Sequence, residues 1–523
     1  MLVIHGIGSQ RPLEVLRAAA DAIYSKDESF GVRDPATTPD LWLTFDGGDP
    51  DQDLDLPVLT TGNIAPSGTA PHYVDFHECY WAYIMSETRF VAVPLWLMEL
   101  IRKGPALMRP GIRALWPGVA AIFDLILVAV AFLALSPAFW VAGEHPAAPW
   151  GAIAAWSLAT MAAGFLAGKN AVFMMAGVFL VSLCLDQLVR RLFGLGEPWI
   201  GTVLPLTIGD PVAIWATMGI VMLAVLANVF VLLTVVGDAA RYYRAAPANI
   251  AVRRSARKLA INRLRTLHGD SRYDRIIVVA HSLGTVIGYD MLRAYWSEGC
   301  HDLGDPSGDP LFNAQNAEGA NGAPFDEDRW RSLKAALRAR LPGLPRQSRT
   351  PRRWLVTDFI TLGSPLTHAR FLMADGRTAE ALRRSFHRKR LERELPQDPA
   401  WHVGSDGSLI FALQAIGRSF LHSGAMFGLI RWTNIYFPLR QAIMGDVVGG
   451  PVKDVFGPGV EDVEVRFGAF ARVTAHVQYF NTHDPHAEHL AKLREAVDLK
   501  RDRLGRDLAR GNADQAGAPR MQG

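Results

Sequence analysis

The sequence predicts an α/β fold interrupted by an inserted bundle of membrane-spanning helices. Three observations lead there. Strand-like apolar runs occur near the start of the chain, at Leu2 to Ile4 and Tyr73 to His77, and again at Arg275 to Val279, Trp354 to Ile360, Trp432 to Tyr436 and Val463 to Phe467. Between the two sets lie four long runs of Ala, Val, Leu, Ile, Phe, Met and Trp. Lastly, the run ending at Val279 turns within a few residues into a helix-like run from Thr285 to Leu292, with Ser282 at the corner.

At 523 residues the chain has room for two or three domains. Half of it is apolar and its mean hydropathy is +0.11, high for a wholly soluble protein. The formal charge of +3 is near balance, so no nucleic-acid partner is indicated. Cys79, Cys184 and Cys300 lie far apart without CxxC spacing, which argues against a disulfide framework or a zinc site and fits a reducing, cytosol-facing compartment. The alternation Asp49, Asp51, Asp53, Asp55 resembles the start of a calcium loop. Leu54 stands where such a loop needs glycine and no closing glutamate follows, so a solvated acidic loop is expected. Met1 to Ile4 is too short for a signal-peptide core, and His5-Gly6-Ile7-Gly8 breaks it.

The four apolar runs are Pro117 to Gly143, Trp150 to Gly168, Ala171 to Leu185 and Val212 to Val236. Each is near the roughly 17–25 residues that cross a bilayer as a helix. The middle two could instead form a buried hairpin or re-entrant pair, and Asp124 and Pro137 interrupt the first. Arg102, Lys103, Arg109 and Arg113 precede the runs, and Arg241, Arg244, Arg253, Arg254, Arg257 and Lys258 follow them. Basic flanks gather on the cytoplasmic side, so an even number of spans would leave both soluble parts there. Arg190 and Arg191 run against this topology. The chain thus divides into 1–105, the first part of a soluble domain; 106–240, about four spans; 241–498, the main soluble domain; and 499–523, a charged, Gly/Ala-rich tail with little to bury. His301 to Asp328, rich in Gly, Asp, Asn and Pro, reads as a flexible insertion.

A serine hydroxyl is a poor nucleophile unless a base takes its proton and fixed N–H donors hold the oxyanion that forms on attack. A strand-turn-helix corner meets both needs if small residues stand two positions on either side of the serine. Here these are Ala280 and Gly284 around Ser282, with Ala in place of the first glycine of G-x-S-x-G. In this context the chain resembles the α/β-hydrolase superfamily, on its lipase and serine-esterase side. The resemblance implies a mostly parallel sheet covering about residues 1–100 and 250–490, with the apolar runs as an insertion. It also implies that Val3-Ile4-His5-Gly6-Ile7-Gly8 is the oxyanion strand and loop, with donors at Ile7, beside Gly8, and at Leu283. A strand at residue 2 leaves no room for the strands that usually come earlier. The make-up of the sheet's edge therefore stays open, or the start lies upstream.

In this resemblance the acid and the histidine follow the serine in that order. Asp446, in Met444-Gly445-Asp446-Val447-Val448-Gly449-Gly450 after a late strand, is the expected acid, with Asp358, Asp454 and Asp462 as rivals. His476, before the pair Tyr479-Phe480, is the expected base, with His483 as rival. Ser364 in Leu362-Gly363-Ser364-Pro365 reads as a turn residue, His281 as a packing residue and His5 as a shaper of the oxyanion loop. The expectation is a membrane-embedded serine hydrolase acting on an ester, a lipid or acylated molecule, without metal or organic cofactor. Its partner would be the lipid bilayer. A thioesterase or acyltransferase shares the first half-reaction. The reading from a different class is a non-catalytic transport or signalling protein on a hydrolase-like scaffold, which Asp124 within an apolar run would favour.

Overall fold

The computed structural model describes residues 1–6, 11–30, 41–46, 56–65, 71–85, 242, 247–298, 354–374, 376, 378–391, 402–403, 409–410, 412–415, 418–421, 426, 430–439, 445–446, 448–456, 460–466, 475–483 and 487–500. The four apolar runs, the insertion after His301 and the tail after Lys500 lie outside the described residues. Among the described residues no helix is long and apolar enough to cross a membrane.

The strands are β1 (Leu2–Ile4), β2 (Leu41–Asp46), β3 (Leu56–Thr61), β4 (Asp75–Cys79), β5 (Ile276–His281), β6 (Val356–Leu362), β7 (His402–Val403), β8 (Leu409–Ile410), β9 (Ala412–Ala415), β10 (Arg418–Leu421), β11 (Arg431–Tyr436) and β12 (Val460–Glu464). Eight of them form one sheet in the order β12-β11-β6-β5-β1-β4-β3-β2. From β12 through β4 every neighbouring pair is parallel, whereas β3 runs antiparallel to both β4 and β2. β7 pairs with β8 and β9 with β10 as separate antiparallel ribbons. The fold is α/β with a mostly parallel sheet.

The edge that the sequence left open is built by β2 and β3. These come after β1 in the chain and flank residues 47–55, the acidic stretch, which lies outside the described residues. Their apolar residues do not alternate cleanly: Trp42, Leu43 and Phe45 are all exposed on the edge strand. A period of two is therefore weak in the sequence there.

The helices are α1 (Glu14–Ala20), α2 (Pro247–Gly269), α3 (Leu283–Ser297), α4 (Ala379–Leu391), α5 (Lys453–Phe456) and α6 (Glu488–Val497). β5, Ile-Ile-Val-Val-Ala-His, is apolar on both faces because helices cover both. Ile276, Val278 and Ala280 join one core with Ala260, Leu264 and Leu267 of α2, Val286 and Ile287 of α3 and Phe456 of α5. Ile277 and Val279 face the other, with Leu16 and Ala20 of α1 and Leu490, Leu493 and Val497 of α6. Successive strand residues point to opposite faces, so the parallel strands are shared between the two cores.

Asp358 near the start of β6 is fully enclosed and holds two arginines, Arg275 at 2.7 Å and Arg431 at 2.7 Å. Arg275 Nη1 also donates to the main-chain oxygen of Asp498 at 2.8 Å, and Arg431 Nη2 to that of Ala496 at 3.1 Å. This cluster ties β5, β6, β11 and the end of α6 together where the strands begin. A buried carboxylate whose removal strands two guanidinium groups should be costly. Asp358→Asn is expected to lower stability by about 3 kcal/mol, read as a shift in the denaturation midpoint. Glu380→Gln, which breaks the exposed i,i+4 pair with Arg384, should leave the midpoint unchanged.

Candidate active site

The strands that run parallel end at one edge of the sheet, and their continuations meet there: His5 and Gly6 after β1, Ser282 after β5, Gly363 after β6 and, further along, Asp446 after β11. Clefts outside the carboxyl ends of parallel strands are where such sheets bind ligands.

Ser282 adopts φ 52° and ψ −129°, a conformation that a side chain disfavours. Its surroundings hold it there. Its N–H donates to Leu362 O at 3.0 Å, and its carbonyl accepts from Thr285 N at 3.0 Å and from Thr285 Oγ1 at 2.7 Å. Ser364 Oγ lies 2.7 Å from Thr285 Oγ1 and accepts from Leu366 N at 3.3 Å, so Ser364 is a turn residue that steadies the corner. Gly284 is needed for a steric reason. A Cβ there would strike the carbonyl oxygens of Ile4 and His5, so any side chain would push α3 off β1.

His476 sits on a single helical turn, Ala475–Val477. Its Nε2 lies 2.8 Å from Ser282 Oγ, while its Nδ1 lies 2.9 Å and 3.0 Å from the two carboxylate oxygens of Asp446. An ionised carboxylate only accepts, so Nδ1 carries the proton and Nε2 presents its lone pair to the serine hydroxyl. Asp446 is fully enclosed. It also accepts from Val448 N at 2.8 Å, Gly449 N at 2.8 Å and Tyr479 Oη at 2.8 Å. Burial alone raises its pKa, but His476 and these donors outweigh it and hold the carboxyl below its ordinary value. It is an ion surrounded by donors.

Two supporting residues exceed what the sequence suggested. Tyr479 donates to Asp446 and accepts from Phe437 N at 3.2 Å, and burial followed by the Asp446 charge pushes its phenol well above its ordinary pKa. His281 does more than pack. Its Nε2 donates to the main-chain oxygen of His476 at 2.8 Å, joining the end of β5 to the turn that carries the imidazole. Burial lowers its pKa to about 3, which keeps it neutral. Sequence signals for the rest were the glycines. Gly363 has φ 57°, and a Cβ on it would come within 2.8 Å of Asp446 Oδ2. One on Gly449 would strike the same oxygen.

His5 lies where the oxyanion loop was expected. Its ring stacks on Trp81 at 5.0 Å and 6°, Nδ1 donates to Gly6 O at 2.7 Å, and Nε2 accepts from Trp81 N at 3.1 Å. Burial lowers its pKa to about 4. Gly6 runs so close to the serine that a Cβ on it would approach Ser282 Cβ to 2.8 Å. Ile7 and Gly8 lie outside the described residues. Leu283 opens α3 directly after the serine, so its N–H is among those a helix leaves without an internal partner.

The rivals are placed elsewhere. Asp358 belongs to the arginine cluster. Asp454 gives its main-chain oxygen to Arg370, on the short helix Ala369–Leu372. Asp462 accepts from Val452 N at 3.1 Å, Lys453 N at 2.9 Å and Asn434 Nδ2 at 2.7 Å, and burial raises its pKa. His483 is exposed on a turn, its N–H donating to Asn481 Oδ1 at 3.0 Å.

Tyr479→Phe leaves Phe437 N–H and one carboxylate lone pair unsatisfied in an enclosed place, with the ring still packed. The expected loss of stability is about 1–3 kcal/mol, measured by chemical denaturation; a change within error would show that the hydroxyl is dispensable. Compared with family models, curated proteins and solved structures, the chain finds no match, and the chemistry of these residues is what its function must be argued from.

Proposed function

We propose that this chain is a serine hydrolase that cleaves an ester, built on an α/β-hydrolase-like scaffold and anchored in a membrane by the apolar region 106–240. One observation carries the reading: a single imidazole bonded to a strained serine on one side and to an enclosed carboxylate on the other. Ser282 Oγ attacks the ester carbonyl while its proton passes to His476 Nε2. The Asp446 carboxylate stabilises the imidazolium that results and keeps the ring in the productive tautomer. The oxyanion accepts from Leu283 N–H and from Ile7 N–H, the donors that the resemblance implies. The tetrahedral adduct collapses, breaking the bond to the alkoxy group, which takes the proton from His476 as the alcohol departs. Water, deprotonated by the same imidazole, then attacks the acyl-enzyme and releases the acid and Ser282.

The substrate class follows from location. Four apolar runs of spanning length, flanked by basic residues, support an enzyme whose domain lies at the cytoplasmic face, within reach of a lipid or acylated ester.

Fluorophosphonate labelling of membranes carrying the chain tests the chemistry. Ser282→Ala should abolish both labelling and ester hydrolysis at unchanged expression; persistent labelling would place the nucleophile elsewhere. Asp446→Asn should lower kcat by roughly 10²–10⁴ with KM little changed. His476→Ala should cost at least as much, and the two losses should not add. Product that carries the acyl group on an added alcohol or amine in place of water would identify a transferase.

A further inference from the structure

α2 is 23 residues long, with six Arg or Lys and no Asp or Glu. Its buried face is Ala256, Ala260, Arg263, Leu264 and Leu267. In its first turns the exposed positions are Ile250, Ala251, Arg254, Ser255 and Lys258, one stripe along the helix with Arg257 half-buried beside it. Ile250 is 55% exposed at its tip. Arg253 is neutralised by Asp290 at 3.3 Å and Arg265 by Glu298 at 2.7 Å. Arg254, Arg257 and Lys258 have no ion-pair partner among the described residues. They stand in the amino-terminal half of the helix, toward the end where its macrodipole already favours anions over cations. Nothing among the described residues accounts for that arrangement.

We propose that this stripe docks on the anionic headgroups of a phospholipid bilayer, with Ile250 dipping into the interface. Chain length brings the surface within reach. Tyr242 is buried, its hydroxyl donating to Asp290 Oδ2 at 2.8 Å, and Arg253 of α2 lies over its ring at 5.2 Å. The last apolar run ends at Val236, and six residues extend at most about 21 Å. If that run is in the bilayer, as the proposed anchoring requires, the first turns of α2 are held close to its surface. A basic stripe ending in an exposed isoleucine suits a lipid interface better than a nucleic acid, which offers phosphates without an apolar layer. The same helix packs on α3, the helix that starts at the serine, so docking would present the site to lipid in a fixed orientation.

The test uses the full chain with Cys184 and Cys300 replaced by serine and an environment-sensitive fluorophore on Ala251→Cys. In nanodiscs of phosphatidylcholine mixed with phosphatidylglycerol the emission should shift to the blue. It should not do so in phosphatidylcholine alone, at high salt, with the probe at Thr266→Cys, or in the triple variant Arg254→Gln, Arg257→Gln, Lys258→Gln. No shift in either lipid, an equal shift in both, or a shift that survives the triple variant overturns the docking, as does a response to an oligonucleotide but not to lipid. Extraction of the native protein by alkaline carbonate would instead overturn the anchoring. The same probe read against added vesicles then decides the docking by itself, with the triple variant expected to bind phosphatidylglycerol vesicles about 10²-fold more weakly.

Discussion

The contact between Gly284 and the carbonyl oxygens of Ile4 and His5 is the constraint on which the rest of the structure turns. It sets how closely the start of α3 can approach the end of β1. That closeness forces the chain through the disfavoured backbone of Ser282, because the reversal from strand to helix leaves no room for a relaxed path. It also brings Gly6 past the serine. Residues separated by most of the chain become a single corner through one missing side chain.

Around that corner the sheet separates two kinds of polar chemistry. Where the strands begin, Asp358 is matched by two arginines that are themselves bonded to main-chain oxygens. That cluster is closed and can only stabilise. Where the strands end, the charge of Asp446 is spread over backbone N–H groups, a phenol and an imidazole, and the imidazole in turn reaches a hydroxyl. Here the chain of hydrogen bonds ends at an atom able to react. The difference between the two aspartates lies in what each partner can pass on.

Much of this corner was legible because its signals are local. A buried strand, a serine flanked by small residues and a following helix occupy one short stretch, and the residues the sequence singled out as acid and base are those the structure brings to Ser282. Asp446 was set apart from Asp358 and Asp462 by its place on a loop after a late strand; that its carboxylate meets an imidazole depends on loop paths that no periodicity records. Tyr479 and His281 were hidden for another reason. An aromatic ring beside apolar neighbours reads as packing, and only its polar tip, aimed at Asp446 or at His476 O, gives it a second part to play. β2 and β3 were missed because apolar residues stand on both faces of β2, the edge strand, and at consecutive positions of β3, so neither carries a clean alternation.

The position of β1 also has a consequence in time. It is made long before β5, yet it lies inside the sheet, between β4 and β5. Its partners on one side, β4 with β3 and β2, are complete once residue 79 has been made. Its partner on the other side pairs Ala280 with Ile4, so at ordinary rates of synthesis the ribosome works for roughly 10–40 s between the two. Throughout that interval the growing chain carries a half-sheet with an open central edge, the kind of surface that pairs with whatever strand arrives first. The strand that delivers the serine thus closes that edge of β1 and passes the open edge on to its own far side, where β6 pairs later.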